Sequence, residues 1–135
     1  MRRIPFIASL ILAVGTLLGP VTAASASSDV FRGSWASIDP VDGSSQTLSI
    51  QGSGTGGQHS LFLHDTVATV ACGGGPANVT GSGTVDGNTL TWFFTVTCPG
   101  TGRPPIIGPT GPGFFIYHRA DGTLTDDAGA VWHRT

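Results

Sequence analysis

The 135-residue chain contains no lysine and no glutamate, so its positive charge comes only from arginine and its negative charge only from aspartate. The missing glutamate leaves any general acid–base chemistry to aspartate and histidine, and it removes the closing ligand of an EF-hand calcium loop. The sequence has no basic cluster, which argues against nucleic-acid and anionic-membrane partners. It also has no nucleophile elbow, phosphate-binding loop, zincin motif or Cys-x-x-Cys pair, so we expect no metal and no cofactor.

The chain has only two cysteines, Cys72 and Cys98. An even number of cysteines favours a disulfide where the chain is exported, as the start of this sequence predicts below, and a Cys72–Cys98 bridge would close a loop of 25 intervening residues. The alternative is a metal site, but two cysteines without close spacing make a poor one. We therefore predict a Cys72–Cys98 disulfide.

Residues 1–26 have the order of a secretory signal peptide. Met1-Arg2-Arg3 is a basic start, Ile4 to Leu18 is an apolar stretch, and Ala24-Ser25-Ala26 is a cleavage site of small residues. The apolar stretch is shorter than the about 20 residues that span a bilayer, which favours cleavage over the alternative, an uncleaved anchor. We expect residues 27–135 to form a single secreted domain, extracellular or in the cell envelope or periplasm, with no membrane contact after cleavage.

The remaining chain is typical of an all-β protein. Residues 90–98 alternate apolar and threonine side chains with a period of two, and Phe93 is the exception to that alternation. Asp-Gly pairs at 42–43, 86–87 and 121–122 predict hairpins with type I′ turns. Strands are predicted near 30–38, 45–51, 58–64, 66–72, 77–84, 89–98, 113–119, 122–126 and 130–134.

Short connections between these strands predict a small antiparallel up-and-down β-barrel of eight or nine strands, with a two-sheet β-sandwich as the alternative. Closure of the barrel by pairing of the first and last strands would remove both exposed sheet edges. The residues expected inside are Trp35, Leu48, Ile50, Val70, Leu90, Trp92, Phe94 and Val96.

The one long connection, Pro99 to Pro112, is rich in proline and glycine, and this composition predicts that it holds no regular strand or helix. Ile106 and Ile107 lie in its middle. Long loops in compact domains are often functional, so these isoleucines are candidate recognition residues. The alternative is a stiff strap whose isoleucines plug one end of the barrel.

Other candidate binding residues are Trp92, Trp132 and His118. Aromatic side chains line the cavities of ligand-binding barrels, and His118 shares strand parity with Phe114 and Ile116, which predicts that it points inward. The alternative is a filled core in which these residues only pack, because a barrel of about eight strands lies near the limit between filled and hollow.

A catalytic site would have to use Asp126, Asp127, His118 and His133. The alternative is that the aspartates serve as turn residues, since aspartate hydrogen-bonds to local backbone. The four histidines lack metal-ligand spacing.

Gly33-Ser34-Trp35 near the start and Arg134 near the end resemble the signature of the calycin superfamily, the lipocalins and avidins. The resemblance implies that Trp35 lies at the floor of the barrel and that Arg134 covers its indole in a cation–π contact. The overall pattern is also similar to that of small secreted bacterial β-barrel proteins.

Together these features predict a secreted, non-catalytic module that binds a small apolar ligand or a short peptide at the barrel mouth. Two alternatives stay open: a secreted protein-interaction module, such as an inhibitor or envelope component, that uses the 99–112 loop, and a hydrolase based on aspartate and histidine. The expected partner is a small ligand or an extracellular protein.

Overall fold

The computed structural model describes residues 29–52, 57–107 and 112–135, and the predicted signal peptide of residues 1–26 lies outside them. The described part of the chain holds nine strands and one short helix. In chain order these are β1 (Gly33–Ile38), β2 (Ser45–Gly52), β3 (Gln58–Asp65), α1 (Thr69–Cys72), β4 (Ala77–Asp86), β5 (Thr89–Thr97), β6 (Ile106–Ile107), β7 (Gly113–His118), β8 (Thr123–Asp126) and β9 (Val131–Arg134).

Eight strands form a closed antiparallel barrel in the order β1-β2-β3-β4-β5-β7-β8-β9. The ring closes where β1 pairs with β9, with Trp35 opposite Arg134 and Ala36 opposite His133. Every pair of neighbours in the ring is antiparallel, and sequential strands are adjacent. The predicted up-and-down barrel is confirmed, as is its closure by the first and last strands, and the two-sheet sandwich is excluded.

The antiparallel order gives the barrel two distinct ends. The plugged end carries residues 29–32, which precede β1, and the turns at 87–88 and 119–122. The stapled end carries the four connections that begin at residues 39, 66, 98 and 127. The Cys72–Cys98 disulfide joins two of those connections, with 5.5 Å between the Cα atoms, and confirms the predicted pairing.

The interior is built from alternate residues of the strands, as a period of two requires. Six of the eight side chains predicted to be inside are buried, and Phe94 is half-buried against the core. The prediction for Val70 is wrong, because its side chain is 89% exposed. The large side chains with the least exposure are Phe31, Trp35, Leu48, Ile50, Leu90, Phe115, Leu124 and Trp132.

The predicted strand at 66–72 is wrong. The Asp65 carboxylate accepts a hydrogen bond from the Val67 amide and turns the chain, and the Ala68 carbonyl then accepts from the Cys72 amide, 2.9 Å away, within α1. Because β3 pairs directly with β4, no place remains for another strand between them. Val70 therefore lies on the outside of a helical turn at the stapled end.

The Asp-Gly turns exist, but they are not of type I′. A type I′ turn needs positive φ at both central residues, whereas only the glycines have it, with φ of 76° at Gly43, 60° at Gly87 and 70° at Gly122. Between β4 and β5 the central pair is Gly87-Asn88, so the glycine occupies the first central position, as in a type II′ turn.

The prediction that the 99–112 connection holds no regular strand is wrong. Ile106 pairs with Val96 and Ile107 with Thr95, which makes β6 a two-residue strand along the second half of β5. The first half of the same β5 edge pairs with β7. The prolines and glycines therefore flank a strand rather than exclude one.

Candidate binding surfaces

The middle of the barrel is occupied by its own aromatic side chains. The ring centroid of Trp92 lies 4.7 Å from that of Phe94 and 5.8 Å from that of Phe115. The ring centroids of Phe115 and Trp132 are 5.9 Å apart. Trp92 is only 4% exposed and Trp132 is fully buried. The two tryptophans predicted to line a ligand site are therefore core residues, and the geometry favours the filled-core alternative.

The plugged end is sealed by the segment that precedes β1. Phe31 is buried, and its carbonyl accepts a hydrogen bond from the indole nitrogen of Trp35 at 2.9 Å. The guanidinium carbon of Arg134 lies 4.2 Å from the centre of the Trp35 ring. Two nitrogens of the same guanidinium donate to the carbonyls of Arg32 and Val30, at 2.7 and 2.8 Å. The Arg134–Trp35 contact that the calycin resemblance implies is present, and it ties this segment to β9.

A buried histidine holds the same segment from the other side. His59 Nε2 lies 2.6 Å from Asp29 Oδ2, and His59 Nδ1 lies 3.0 Å from the carbonyl of Gly57. Both ring nitrogens thus face oxygen atoms. Asp29 also accepts from the Phe31 amide through its other oxygen. Asp29 and His59 together hold the segment that precedes β1 in place, so this Asp–His pair has a structural role.

His118 does not point into the barrel, so its predicted orientation is wrong. Its side chain is exposed at the end of β7, and Nε2 lies 2.8 Å from the hydroxyl of Thr125 on the outer surface. The inward parity of β7 belongs to Gly113 and Phe115. A surface depression of about 620 Å³ beside His118 is lined by Val30, Gly87, Asn88, Tyr117, His118, Arg119 and Ala120.

The structure does not assemble the residues of the hydrolase alternative. Asp126 accepts hydrogen bonds from the Ala128 and Ala130 amides and from the indole nitrogen of Trp132, at 3.0, 2.8 and 2.9 Å. His118 lies at the opposite end of the β7–β8 hairpin, where it pairs with Thr123.

The neighbouring Asp127 and the exposed His133 complete the candidate set. Burial raises the pKa of the Asp127 carboxyl, with a smaller contribution from the charge of Asp126. In the ranges 29–52, 57–107 and 112–135, no group of three or more histidines, cysteines and acidic residues is placed to hold a metal ion.

The stapled end presents an apolar side chain next to the disulfide. Ile106 is 44% exposed on β6, while its partner Val96 is buried. The chain between Cys98 and β6 begins with a turn in which the Thr101 hydroxyl donates to the Cys98 carbonyl at 2.8 Å. The Arg103 amide then donates to the Thr101 hydroxyl. The disulfide and this turn fix the start of the connection that carries Ile106.

The stapled end is also acidic, and hydrogen bonds order its β1–β2 and β3–β4 connections. The buried Asp65 carboxylate accepts from the Ser44 hydroxyl at 2.8 Å and from the Gln46 amide at 3.3 Å. Hydrogen bonds from the side chain of Thr69 and from Ser44 lower the pKa of Asp42 from 3.8 to about 2. Asp42 is exposed, and it stays ionised across the physiological pH range.

Three exposed phenylalanines on the outside of the barrel belong to none of the predicted sites. Phe62 on β3 is 46% exposed, Phe93 on β5 is 69% exposed and Phe114 on β7 is 38% exposed. The one sequence signal among them is at Phe93, which breaks the alternation of β5. Phe62 and Phe114 carry no such signal, because apolar residues precede or follow them on the same strand.

No protein-family model, curated protein or solved structure matches this chain. Within the part of the chain that the structure describes, no helix is long and apolar enough to cross a membrane.

Proposed function

We propose that the protein is a secreted, non-catalytic interaction module that binds an extracellular protein segment at its stapled end. The observation that carries this proposal is the contrast between an interior occupied by aromatic side chains and Ile106, which is held exposed on a short paired strand. A ligand inside the barrel would have to displace buried tryptophans, whereas a partner at β6 displaces only water. Export is supported by the disulfide and by the signal-like pattern of residues 1–26.

The edge of β6 suits an extended peptide. Within the described residues β6 pairs only with β5, so its second edge offers backbone groups to an added strand. Ile106 supplies an apolar contact beside that edge. Main-chain hydrogen bonds would give affinity, and the isoleucine would select an apolar partner side chain.

The charge of the stapled end indicates a basic partner. Its connections and strand ends carry Asp39, Asp42, Asp65, Asp126 and Asp127 against a single arginine, Arg103. Complementary charge accelerates encounter and weakens as salt screens it. We therefore expect the bound segment to combine an apolar residue with flanking arginine or lysine.

A display library of linear peptides, selected on the immobilised protein, tests this proposal. Enriched peptides should share an apolar residue beside basic ones, and their affinity should fall when salt rises from about 0.05 M to about 0.5 M. Ile106→Ser should weaken binding by about tenfold, equivalent to about 1.4 kcal/mol. Its melting temperature should stay close to that of the wild type, because exposed substitutions usually change stability by at most about 0.5 kcal/mol.

Val131→Ser is the matched control, because Val131 is 45% exposed against 44% for Ile106 and lies on β9. It should leave peptide affinity unchanged. Enrichment of acidic peptides, or equal affinity of the wild type and Ile106→Ser for the enriched peptides, would refute the proposal.

A further inference from the structure

On the outer surface of the barrel from β2 to β5, the part between His64 near the stapled end and Asp86 near the plugged end forms a second, chemically different surface, which we call the neutral wall. Its outward side chains are hydroxyls, amides and two phenyl rings, and none of them is charged. The residues of the neutral wall are Ser49, Gln51, Gln58, Ser60, Phe62, Thr80, Ser82, Thr84, Thr91, Phe93 and Thr95.

Two adjoining depressions lie on this wall. One of about 220 Å³ is bounded by Ser49, Gln51, Ser60, Leu61 and Phe62, and one of about 130 Å³ by Gln58, Ser82, Gly83, Thr84, Thr91 and Phe93. They meet where Ser60 of β3 pairs with Ser82 of β4. Each depression combines one exposed phenyl ring, one glutamine amide and several hydroxyl groups. The same set of groups is thus presented twice along one track.

We propose that the neutral wall binds an uncharged oligosaccharide chain. A sugar ring presents C–H groups on its faces, which pack against an aromatic ring, and hydroxyl groups at its edges, which both donate and accept hydrogen bonds. Serine, threonine and glutamine side chains also donate and accept, so they match those edges. A wall without charge fits a neutral glycan and gives no attraction to an anionic one.

The placement of the two phenyl rings suits a chain rather than a single sugar. Phe62 pairs with Thr80 and Phe93 with Ser82, so the two phenylalanines lie on either side of β4 and are offset by two residues. With strands about 4.8 Å apart and about 3.4 Å per residue, their Cα atoms are separated by about 12 Å. That separation corresponds to a short oligosaccharide that contacts one ring at each end.

The composition of the wall disfavours the other occupants of an exposed sheet face. The centres of protein interfaces are enriched in tyrosine, tryptophan, phenylalanine, methionine and arginine and depleted in serine. The neutral wall has two phenylalanines but none of the other four enriched residue types, and it has three serines. A lipid surface is recognised by basic residues or by a continuous apolar face, and the wall has neither. A second copy of this chain is also disfavoured as the occupant, because a dimer through this wall would place two serine-rich surfaces against each other.

Affinity electrophoresis of the native protein through gels that contain a soluble polysaccharide tests the proposal. The neutral gels contain hydroxyethyl cellulose, arabinoxylan or amylose, and the anionic gel contains polygalacturonate. We expect retardation in at least one neutral gel and none in the anionic gel. Phe62→Ser and Phe93→Ser should each weaken the retarding interaction by about tenfold, consistent with the loss of one aromatic contact.

Two further variants separate binding from folding. Val131→Ser matches Phe62→Ser in exposure, 45% against 46%, and should be retarded like the wild type. The double variant Gln51→Ala/Gln58→Ala removes both amides without touching the core and should also lose affinity. Absence of retardation in all three neutral gels would overturn the proposal, as would equal retardation of the wild type and both phenylalanine variants. Ile106→Ser should be retarded normally, because Ile106 lines neither depression of the neutral wall.

Discussion

At the scale of single residues, the packing of Trp92 depends on glycines that leave room for its indole. A Cβ atom at Gly113 would lie 2.6 Å from Nε1 of Trp92 and 3.2 Å from the ring of Phe94. A Cβ atom at Gly83 would lie 2.9 Å from the Cβ of Trp92 and 2.7 Å from the Thr91 carbonyl. Since neither neighbour is the free end of a flexible side chain, a substitution here must displace the core.

We therefore predict that Gly113→Ala destabilises the protein by about 1–3 kcal/mol through overpacking. For a domain of this size that corresponds to a fall in melting temperature of about 4–8 °C per kcal/mol, measurable by differential scanning calorimetry. Gly75→Ala is the control, because its nearest heavy atom would be the Cys72 carbonyl at 3.5 Å, an ordinary contact. Equal melting temperatures for the two variants would contradict this account of Trp92.

The β7 and β5 strands differ in how clearly their sequences mark the inward face. The strand of Gly113–His118 is Gly-Phe-Phe-Ile-Tyr-His, which has apolar residues at both parities, so a period of two cannot tell which side faces the core. The structure buries Phe115 and exposes Phe114, and His118 consequently points outward. In β5 the threonines mark the outward parity, and the prediction that Leu90, Trp92 and Val96 lie inside is confirmed.

At the scale of elements, the strands could be predicted, but what joins them at the stapled end could not. Residues 66–72 are rich in threonine and valine, which is typical of a strand, and only the direct β3–β4 pairing excludes that choice. The β6 strand is similarly invisible in a segment of prolines and glycines, because its pairing with β5 is a tertiary contact. The candidate sites were therefore the hardest part of the structure to predict, because they lie on those connections and on the outer face of the barrel.

The disulfide is the element that we expect to hold these connections together. Cys72 ends α1 and Cys98 directly follows β5, so the bridge joins the β3–β4 connection to the start of the segment that carries Ile106. We predict that the double variant Cys72→Ala/Cys98→Ala loses about 2–5 kcal/mol of unfolding free energy. The reason is that the unfolded chain without the cross-link has more conformational entropy than the cross-linked unfolded chain. Chemical denaturation of the variant and the wild type measures the difference.

Reduction of the wild type provides the matching control for that experiment. Dithiothreitol should shift the wild-type unfolding midpoint toward that of the double variant and leave the variant itself unchanged. A double variant as stable as the oxidised wild type would show that the barrel fixes these connections without the bridge. In that case the exposure of Ile106 would depend on β6 pairing alone.

At the scale of the whole molecule, the closed barrel divides its surface among separate tasks. Aromatic side chains occupy the middle, Asp29–Arg32 seals one end, and the apolar and acidic groups of the stapled end lie far from that seal. The neutral wall lies on the side between the two ends. Because no hollow interior is needed for either proposed surface, each can change without loss of the core, and the two binding experiments can be interpreted independently.

The strands of the barrel are not paired equally along its circumference. The β4–β5 pairing joins nine residue pairs and the β3–β4 pairing joins eight, whereas β9 is held by two pairs to β8 and by two to β1. Local opening is easiest where few hydrogen bonds and contacts must break. Native-state hydrogen exchange should therefore show faster exchange for amides of β8 and β9 than for paired amides of β3, β4 and β5.

The hydroxyl of Ser37 donates to the Val131 carbonyl at 2.7 Å across this seam, so Ser37→Ala should loosen it specifically. The loss of one hydrogen bond of about 1 kcal/mol should speed exchange in β9 by about fivefold and leave β4 nearly unchanged at low denaturant. Uniform acceleration in all strands would instead mean that β9 exchanges only by global unfolding. Because Trp132 on β9 is fully buried and bonded to Asp126, that outcome would identify its packing, rather than the number of strand hydrogen bonds, as what keeps the barrel closed.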